Sequence, residues 1–588
     1  MANYFDFHYH PMFKKFLSDF ETNYPSVRQP ADLIPDIVLQ NGVLDLIDKG
    51  ALHFLGSQCS FNQLSKANET VGVANIVTLE YAIASATNIF GDILRSRIVA
   101  PLDKTYFDTI GDGGISYYHL FIKELNLYSI LANIGTYKVA GRTGLVNILS
   151  RSKNQTTSFD SYTGTTLALA MEGGHNLNRN LINNPPAKLD TIPAPGPGAT
   201  DAVYADLYAN ANTQLSPAQS LTNLFTAMWQ EEMDLLYVTL THLTYISELP
   251  LANHAYGMKI LTHNYFYPAI NGLTDAGKGV IDAAYKMNIA GRSTPVLIDV
   301  KHMSLKSRLD FYAYRKVQGY TLPILATHMG VTGRSIAQWI NGQSGTVKGR
   351  TTFASPLIVA GMDNSADVNP TKFHFNPWTI NLMDEDIIEV FNSNGMIGIS
   401  LDRRIIGIVA TDDNIEYDST EYLSGDDFNY LKANYAPVDV PDTPDIDPDT
   451  DVAIDPDGNL NDWDRENMRQ VASLGFNIMH VLAVGLTRTT LDPWTHIVIG
   501  SDFDGLIEPL SMALECTGFN DNDVEGKLAA LLPSIESSYL HFHPDVAIKI
   551  LPRDAAGNVD TAAVSANVRN IMFNNGANFL KAWYNDAL

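Results

Sequence analysis

Seven short runs of apolar and β-branched residues recur along the chain, separated by segments with helical periodicity. The runs are Tyr4–His10, Thr166–Met171, Tyr237–Thr241, Val296–Val300, Leu322–Thr327, Met396–Leu401 and His496–Gly500. Apolar strands that alternate with helices favour parallel βα units over a sandwich of antiparallel sheets. We expect an eighth strand between residues 40 and 150. The pattern then predicts an α/β fold, a (β/α)8 TIM-type barrel with large loop insertions.

The 588 residues are interpreted as a single barrel domain with three insertions. The insertions cover approximately 183–219, 335–375 and 405–465, and residues 506–588 are expected to form a helical segment that packs on the barrel. The third insertion is acidic, but it does not fit a calcium-binding EF-hand. Counted from Asp445, Thr450 and Pro456 occupy the positions where that loop needs Gly and Glu. A solvated acidic loop is therefore expected.

Charge and composition exclude several classes of function. The chain has 39 Lys and Arg against 65 Asp and Glu, a net charge of −26, which disfavours nucleic-acid binding. Two cysteines, Cys59 and Cys516, cannot form a disulfide framework. No apolar run approaches the roughly 18 residues that a membrane span needs. With no signal peptide visible, we expect a cytoplasmic location, or a periplasmic or secreted one if a leader has been removed.

Ionisable residues stand at the carboxyl ends of the predicted strands, where barrel enzymes place their catalytic groups. They are His8, His10, Glu172, His242, His302, His328 and Asp502. A single histidine at a strand end is more often a hydrogen-bonded structural residue. Several imidazoles and carboxylates on one rim, without cysteine, indicate a site for divalent metal ions. Zinc is the first choice, with manganese, iron or cobalt as alternatives.

Several segments also resemble the membrane (renal) dipeptidase family of the amidohydrolase superfamily. They are GSDFDG (Gly500–Gly505), IDVKHMS (Ile298–Ser304), MEGGH (Met171–His175), YVTLTH (Tyr237–His242), ATHMG (Ala326–Gly330) and NIMFNNGANFL (Asn570–Leu580). The resemblance runs in order from residue 6 to residue 580, interrupted by the insertions. It implies a binuclear metal-dependent hydrolase that cleaves the amide bond of a dipeptide through a metal-bridging hydroxide.

Position by position, the resemblance assigns a role to each of these residues. His8 and His10 would bind one metal ion, His302 and His328 the second, and the carboxylate of Glu172 would bridge both. His242 would contact the scissile carbonyl oxygen, and Asp502 would handle the proton of the bridging water. Asp504 would secure the loop after the last strand. We prefer His242 over His263 for the carbonyl, and we interpret His175 as a turn residue.

Two positions depart from the family pattern. The family has His-x-Asp on its first strand, whereas this chain has His8 and His10, which leaves the site one charge unit more positive. The family also carries an arginine that binds the substrate carboxylate, and its place falls here on Thr379 or Ile380. The candidate replacement for substrate binding is Arg334, just before the insertion 335–375, or Arg350 within it. The alternative is that both are surface arginines.

Three functions remain open at this point. The first is hydrolysis of a dipeptide, with a small peptide or amide as substrate and two divalent metal ions, zinc first, as cofactors. The second keeps the metal site but acts on N-acyl amino acids, lactones or cyclic amides, because the arginine is absent. The third is a catalytically silent binding protein. The resemblance also suggests a homodimer, and neither a nucleic acid nor a membrane span is expected.

Overall fold

The chain is described by a computed structural model. It covers residues 4–18, 33–37, 56–67, 71–85, 103–132, 136–139, 142–152, 165–182, 215–247, 249–258, 263–341, 343–348, 357–362, 375–408, 420–438, 452, 454–455, 458–505 and 507–587. Residues 183–214, 409–419 and 439–451 of the predicted insertions lie outside this set, and so does Arg350.

Fifteen strands lie within the described residues, and eight of them form a parallel barrel at the centre of the protein. The strands are β1 (Phe5–Tyr9), β2 (Val71–Ile76), β3 (Thr136–Val139), β4 (Arg142–Ile148), β5 (Thr165–Met171), β6 (Leu235–Thr239), β7 (Asn288–Ile289), β8 (Arg292–Ser293), β9 (Leu297–Asp299), β10 (Ile324–Met329), β11 (Gln343–Lys348), β12 (Leu357–Met362), β13 (Met396–Ile399), β14 (Thr420–Ser424) and β15 (Ile497–Ile499). Eight of them pair in the order β1-β2-β5-β6-β9-β10-β13-β15, and each neighbouring pair is parallel. β2 is the expected eighth strand.

Backbone hydrogen bonds close the sheet into a barrel. The Asp502 amide donates to the His8 carbonyl and the His10 amide donates to the Phe503 carbonyl, both at 2.8 Å. These bonds join the residues after β15 to β1. The parallel strand order and these closing bonds together confirm the predicted barrel.

Helices follow the strands and cover the outside of the barrel. They are Phe13–Ser18, Phe61–Lys66, Tyr81–Ala84, Lys104–Gly111, Tyr117–Ala132, Pro217–Gln230, Asp275–Tyr285, Leu305–Gln318, Ile336–Asn341, Asp384–Asn392, Gly425–Asn434, Asp462–Arg488, Gly518–Asp521, Val524–Phe542, Thr561–Arg569 and Asn575–Tyr584. Polar side chains begin several of them, as where Ser304 accepts a hydrogen bond from the Ser307 amide. Among the described residues, Asp462–Arg488 is long and apolar enough by length and composition to cross a membrane, and 89% of its apolar window is buried inside the protein.

The C-terminal helix Asn575–Tyr584 closes one end of the barrel. An apolar cluster joins side chains from all eight barrel strands to this helix: Phe5, Phe7, Val71, Val73, Ala168, Ala170, Leu236, Tyr237, Leu297, Leu325, Met396 and Val498 contact Phe579, Leu580, Trp583 and Tyr584. Gly576 packs directly against the Phe5 ring, because a Cβ at this position would lie 1.9 Å from it. Polar groups lie at the opposite end of the barrel, where the strands have their carboxyl ends.

Parts of two predicted insertions pair with each other in a small accessory sheet. β11, β12 and β14 form three antiparallel strands, and Gly361 of β12 pairs with Thr420 of β14. Buried Asp427 attaches this unit to the barrel by accepting hydrogen bonds from Ser304 (2.6 Å) and Asn253 (2.7 Å). Within the insertion 405–465, the described residues 420–434 form a strand and a helix. Most of the aspartate-rich stretch that was expected to be a solvated loop lies outside the described residues.

Candidate metal centre at the carboxyl ends of the strands

The ionisable residues at the predicted strand ends converge on one rim of the barrel. His8 lies in β1 and His10 just after it, Glu172 follows β5, His302 lies beyond β9, His328 lies in β10 and Asp502 follows β15. Because parallel strands end on the same rim, residues far apart in sequence meet there. Both histidines of the first strand have no exposed surface, and Glu172 is 1% exposed.

Glu172 lies at the centre of the cluster. One carboxylate oxygen, Oε2, is 3.1 Å from His10 Nε2. The other, Oε1, is 3.0 Å from His302 Nε2 and 3.5 Å from His328 Nε2. It also lies 3.3 Å from His8 Nε2. The two oxygens therefore face different sets of imidazoles, with His10 on Oε2 and His8, His302 and His328 on Oε1.

Three groups of described side chains have donor atoms close enough together to hold an ion, with the atoms of each group within 4.8 Å of one another. They are His8, His10, Glu172 and Asp502; Glu172, His302 and His328; and His8, Asp299 and His328. Imidazole nitrogens and carboxylate oxygens are the ligands that zinc and similar divalent ions prefer. The structure therefore brings together all six residues that the sequence predicted around the metal ions.

Neighbouring groups orient the imidazoles for this purpose. His10 Nδ1 lies 3.1 Å from the Asn75 carbonyl, which can only accept a hydrogen bond. His10 Nδ1 therefore carries a proton, so Nε2 is the nitrogen that faces the cluster and, when deprotonated, offers its lone pair there. His8 Nδ1 is held by the Tyr237 hydroxyl at 2.9 Å, and the Thr327 hydroxyl lies 3.0 Å from His328 Nδ1. Such partners of the second ring nitrogen are what fix a metal-binding histidine, so the residues present fit a metal ion.

The charge balance of the cluster also favours a cation. Burial lowers the pKa of His302 to about 3 and keeps the pKa of His328 well below its ordinary value, so both imidazoles are neutral. Burial also acts to lower the pKa of His10, but hydrogen bonds to Asp502 and Glu172 outweigh this effect and raise the pKa to about 10. The carboxylates therefore hold one positive charge in this region even without a metal ion.

His242 lies beside the cluster with a carboxylate behind it. Its Nδ1 is 2.7 Å from Glu80 Oε1, and its Nε2 is 3.8 Å from Glu172 Oε1. Burial acts against the charged form of Glu80, but His242 holds the pKa of this carboxyl at about 2. Burial likewise opposes protonation of His242, yet Glu80 and Glu172 raise its pKa. His242 is therefore suited to donate a hydrogen bond from Nε2.

Asp502 adopts a left-handed backbone conformation, with φ of 64°, where the chain turns away from β15. Its Oδ1 lies 3.2 Å from His10 Nε2, and its side chain is 17% exposed. Gly505 makes room for it, since a Cβ there would lie 2.3 Å from Asp502 Oδ1. Asp504 fastens the same loop by accepting hydrogen bonds from the amides of Gln58 (2.7 Å) and Cys59 (3.0 Å).

A cavity opens over the cluster. Glu172, His242, His302 and Asp502 are among its lining residues. Apolar side chains such as Leu243, Met258 and Ile380 also line it, and so do the polar residues Glu80, Lys301, Asp402 and Arg404. The structure therefore places the polar cluster in a pocket whose wall is partly apolar and partly charged.

The place of the family's arginine is apolar in this cavity. Ile380 lines the wall, while the amide and hydroxyl of Thr379 donate to Glu421 of β14 at 2.6 and 2.8 Å. Arg334 and His263 lie within the described residues but are not part of the cavity lining. Arg334 therefore remains a prediction that the geometry of this cavity does not favour.

Sequence reasoning missed four polar residues of the cavity: Glu80, Lys301, Asp402 and Arg404. Glu80 follows β2, the strand that the sequence pattern did not locate, so its position at a strand end was not visible. Lys301 lies in the motif IDVKHMS, next to His302. Asp402 and Arg404 follow β13. Their positions beyond strand ends were the signal that could have drawn attention to them.

The chain was also compared with known proteins. No family model and no curated protein sequence matches it. Among solved structures it is similar to a metallopeptidase from Rhodobacter sphaeroides in complex with a phosphinate mimic of the dipeptide L-Ala-D-Ala (12% identity, TM-score 0.41, 99% of each chain covered). It is also similar to a probable dipeptidase from Pseudomonas aeruginosa (10%, TM-score 0.38, 90% of this chain and 89% of that one).

An amidohydrolase from Pseudomonas aeruginosa is a third similar structure (10% identity, TM-score 0.35, 95% of this chain and 100% of that one). The low identity of these structures leaves the function of this chain to be argued from its own residues.

Proposed function

We propose that this protein is a binuclear metal-dependent hydrolase, with zinc as the first choice of metal, that cleaves the amide bond of a dipeptide. The position of Glu172 carries the proposal. Its two carboxylate oxygens face different imidazoles, with Oε2 next to His10 and Oε1 next to His8, His302 and His328. A carboxylate that served only one ion, or only an ion pair, would not need histidines on both oxygens.

Two divalent cations held here would polarise the scissile carbonyl and lower the pKa of an attacking water. Asp502, which borders the cavity, would accept the proton of that water and return it to the leaving amine. His242 would donate from Nε2 to the oxygen that becomes negative in the transition state. Glu80 holds the His242 ring from behind, so that the donor is oriented before the substrate arrives.

Metal analysis and a substrate panel test the proposal together. The protein is loaded with zinc, freed of excess metal, and assayed with dipeptides and their C-terminal amides. We expect about two equivalents of zinc and an activity that a chelator abolishes and added zinc restores. Metal-loaded protein that hydrolyses neither member of any pair would contradict the proposal.

Two buried glutamates supply a matched pair of variants. Glu172→Gln removes the shared carboxylate, so we expect fewer than two equivalents of zinc and no hydrolysis. Glu124 is also fully buried, and both its oxygens are without a hydrogen-bond partner among the described residues. Burial raises the pKa of Glu124 well above its ordinary value, so the group is already neutral. Glu124→Gln should therefore keep both metal and activity.

A second candidate keeps the metal centre and changes the substrate to an N-acyl amino acid. The observation that favours it is the apolar wall formed by Leu243, Met258 and Ile380, against which an acyl group could pack. Hydrolysis of N-acyl amino acids that exceeds hydrolysis of every dipeptide in the panel would establish it. The reverse order would support the dipeptide.

A further inference from the structure

Lys301 is a buried lysine that lines the same cavity as the candidate metal centre. It follows β9 and directly precedes His302, and only 1% of its surface is exposed. Its backbone amide donates to Asp299 Oδ1 at 3.1 Å. Within the part of the chain that the structure describes, no carboxylate lies within 4.0 Å of its ammonium group. No described group hydrogen-bonds to that ammonium.

The carboxylates nearest to Lys301 are already engaged elsewhere. Asp299 accepts hydrogen bonds from the amide (3.2 Å) and the hydroxyl (2.7 Å) of Thr327. Asp402 is held by Arg404 in a bidentate ion pair, with nitrogen–oxygen distances of 3.0 and 2.7 Å. The two remaining carboxylates, Glu172 and Asp502, belong to the metal centre. All four attract the ammonium electrostatically without pairing with it.

Other described cations near the cavity wall lack this freedom. The Arg308 guanidinium binds both oxygens of Asp386, at 3.0 and 2.8 Å. It also donates to the Thr379 carbonyl at 2.8 Å. Arg404 is neutralised by Asp402, as described above. Lys301 is therefore the cavity-lining cation with capacity for a ligand among these residues.

A buried charge without a partner is unfavourable unless an opposite charge meets it. We propose that the Lys301 ammonium binds a carboxylate of the substrate and so makes amides that carry a free carboxylate the preferred substrate class. Lys301 then takes the place of the absent arginine. It lies after β9, whereas the arginine would lie in the segment that contains Ile380. The proposal rests on the proposed hydrolase function, since the carboxylate must belong to the molecule whose amide reaches Glu172.

The test compares alanylalanine with its C-terminal amide, using zinc-loaded wild type, Lys301→Met and Lys301→Arg. We expect wild type to prefer the free acid, and Lys301→Met to lower that preference in kcat/KM by about 10- to 100-fold, the value of a hydrogen bond to a charged group. Most of the change should appear in KM for the acid, and kcat/KM for the amide should change much less than kcat/KM for the acid. Lys301→Arg should restore part of the preference.

Lys306→Met is the matched control. Lys306 is also buried, but it pairs with Asp310 at 2.6 Å and does not line the cavity. This variant should retain the wild-type preference. Metal-loaded Lys301→Met that also retains it would overturn the proposal. If Lys301→Met does not fold, Lys301→Gln takes its place under the same criterion.

A binding measurement on the wild type separates this proposal from the proposed function. Calorimetry with N-acetylglycine and N-acetylglycinamide, with released acetate assayed in the same samples, reports carboxylate binding separately from turnover. Suppose that the wild type binds the acid more tightly than the amide, that Lys301→Gln abolishes this preference, and that the wild type hydrolyses no peptide. This result would support the role of Lys301 and refute the dipeptidase. Wild-type protein that binds both compounds equally would overturn the role of Lys301, whatever its activity.

Discussion

Replacing Arg308 with methionine removes the cation from a completely buried ion pair. Arg308 and Asp386 have no exposed surface, and two nitrogen–oxygen distances of 3.0 and 2.8 Å join them. Arg308 also donates to the carbonyls of Met303 (2.9 Å), Thr379 (2.8 Å) and Asn381 (3.0 Å). It therefore connects the helix Leu305–Gln318 to the segment that forms the cavity wall.

Methionine has a similar length but offers no donor, so the variant leaves the Asp386 carboxylate buried without its cation. Breaking a buried pair in this way costs about 3–5 kcal/mol. The Tyr312 hydroxyl and the Met383 amide, each 2.9 Å from Asp386, still donate to it and place the expected loss near the lower end. Lysine keeps the charge but cannot form both bonds, so Arg308→Lys should lose less.

Urea denaturation followed by circular dichroism measures this loss. Lys278→Met removes an exposed ion pair with Asp275 and serves as the control, for which no measurable change is expected. An Arg308→Met variant whose free energy of unfolding stays within about 1 kcal/mol of wild type would refute the reasoning. It would mean that the pair and its carbonyl contacts barely stabilise this wall.

Four further outcomes are expected. Asp502→Asn should lower kcat by about 100-fold or more while zinc content is retained, because the proton acceptor is lost; unchanged turnover would exclude that role. Burial lowers the pKa of His543 to about 4, so the stability it contributes is complete above pH ~6.5 and is lost as pH falls toward 4; urea titrations at several pH values should show this slope weakened in His543→Gln. Gly576→Ala should destabilise by about 1–3 kcal/mol through its clash with Phe5, measured by thermal unfolding against Gly114→Ala, an exposed position where a Cβ meets no atom within 4 Å. Chelation should lower the melting temperature, and zinc should restore it; an unchanged temperature would mean that no metal stabilises the fold.

Much of the metal centre could be predicted from residue order alone. In a parallel barrel every strand ends on one rim, so a histidine or carboxylate after an apolar run is placed there by local pattern. This pattern predicts from the sequence alone that His8, Glu172, His302 and Asp502 lie on the rim. It failed for Glu80, because β2 was not located and the residue could not be assigned to a strand end.

The local pattern of apolar and polar residues determined which segments become strands and helices, because backbone periodicity depends on near neighbours. Which segments pair with one another across long distances in sequence is decided only in the tertiary structure. The strands Leu357–Met362 and Thr420–Ser424 pair across a long separation in sequence, and neither segment alone specifies the other. The same holds for Lys301 and Arg404. Both are cations near strand ends, but only the packed cavity shows that Asp402 neutralises one and leaves the other without a partner.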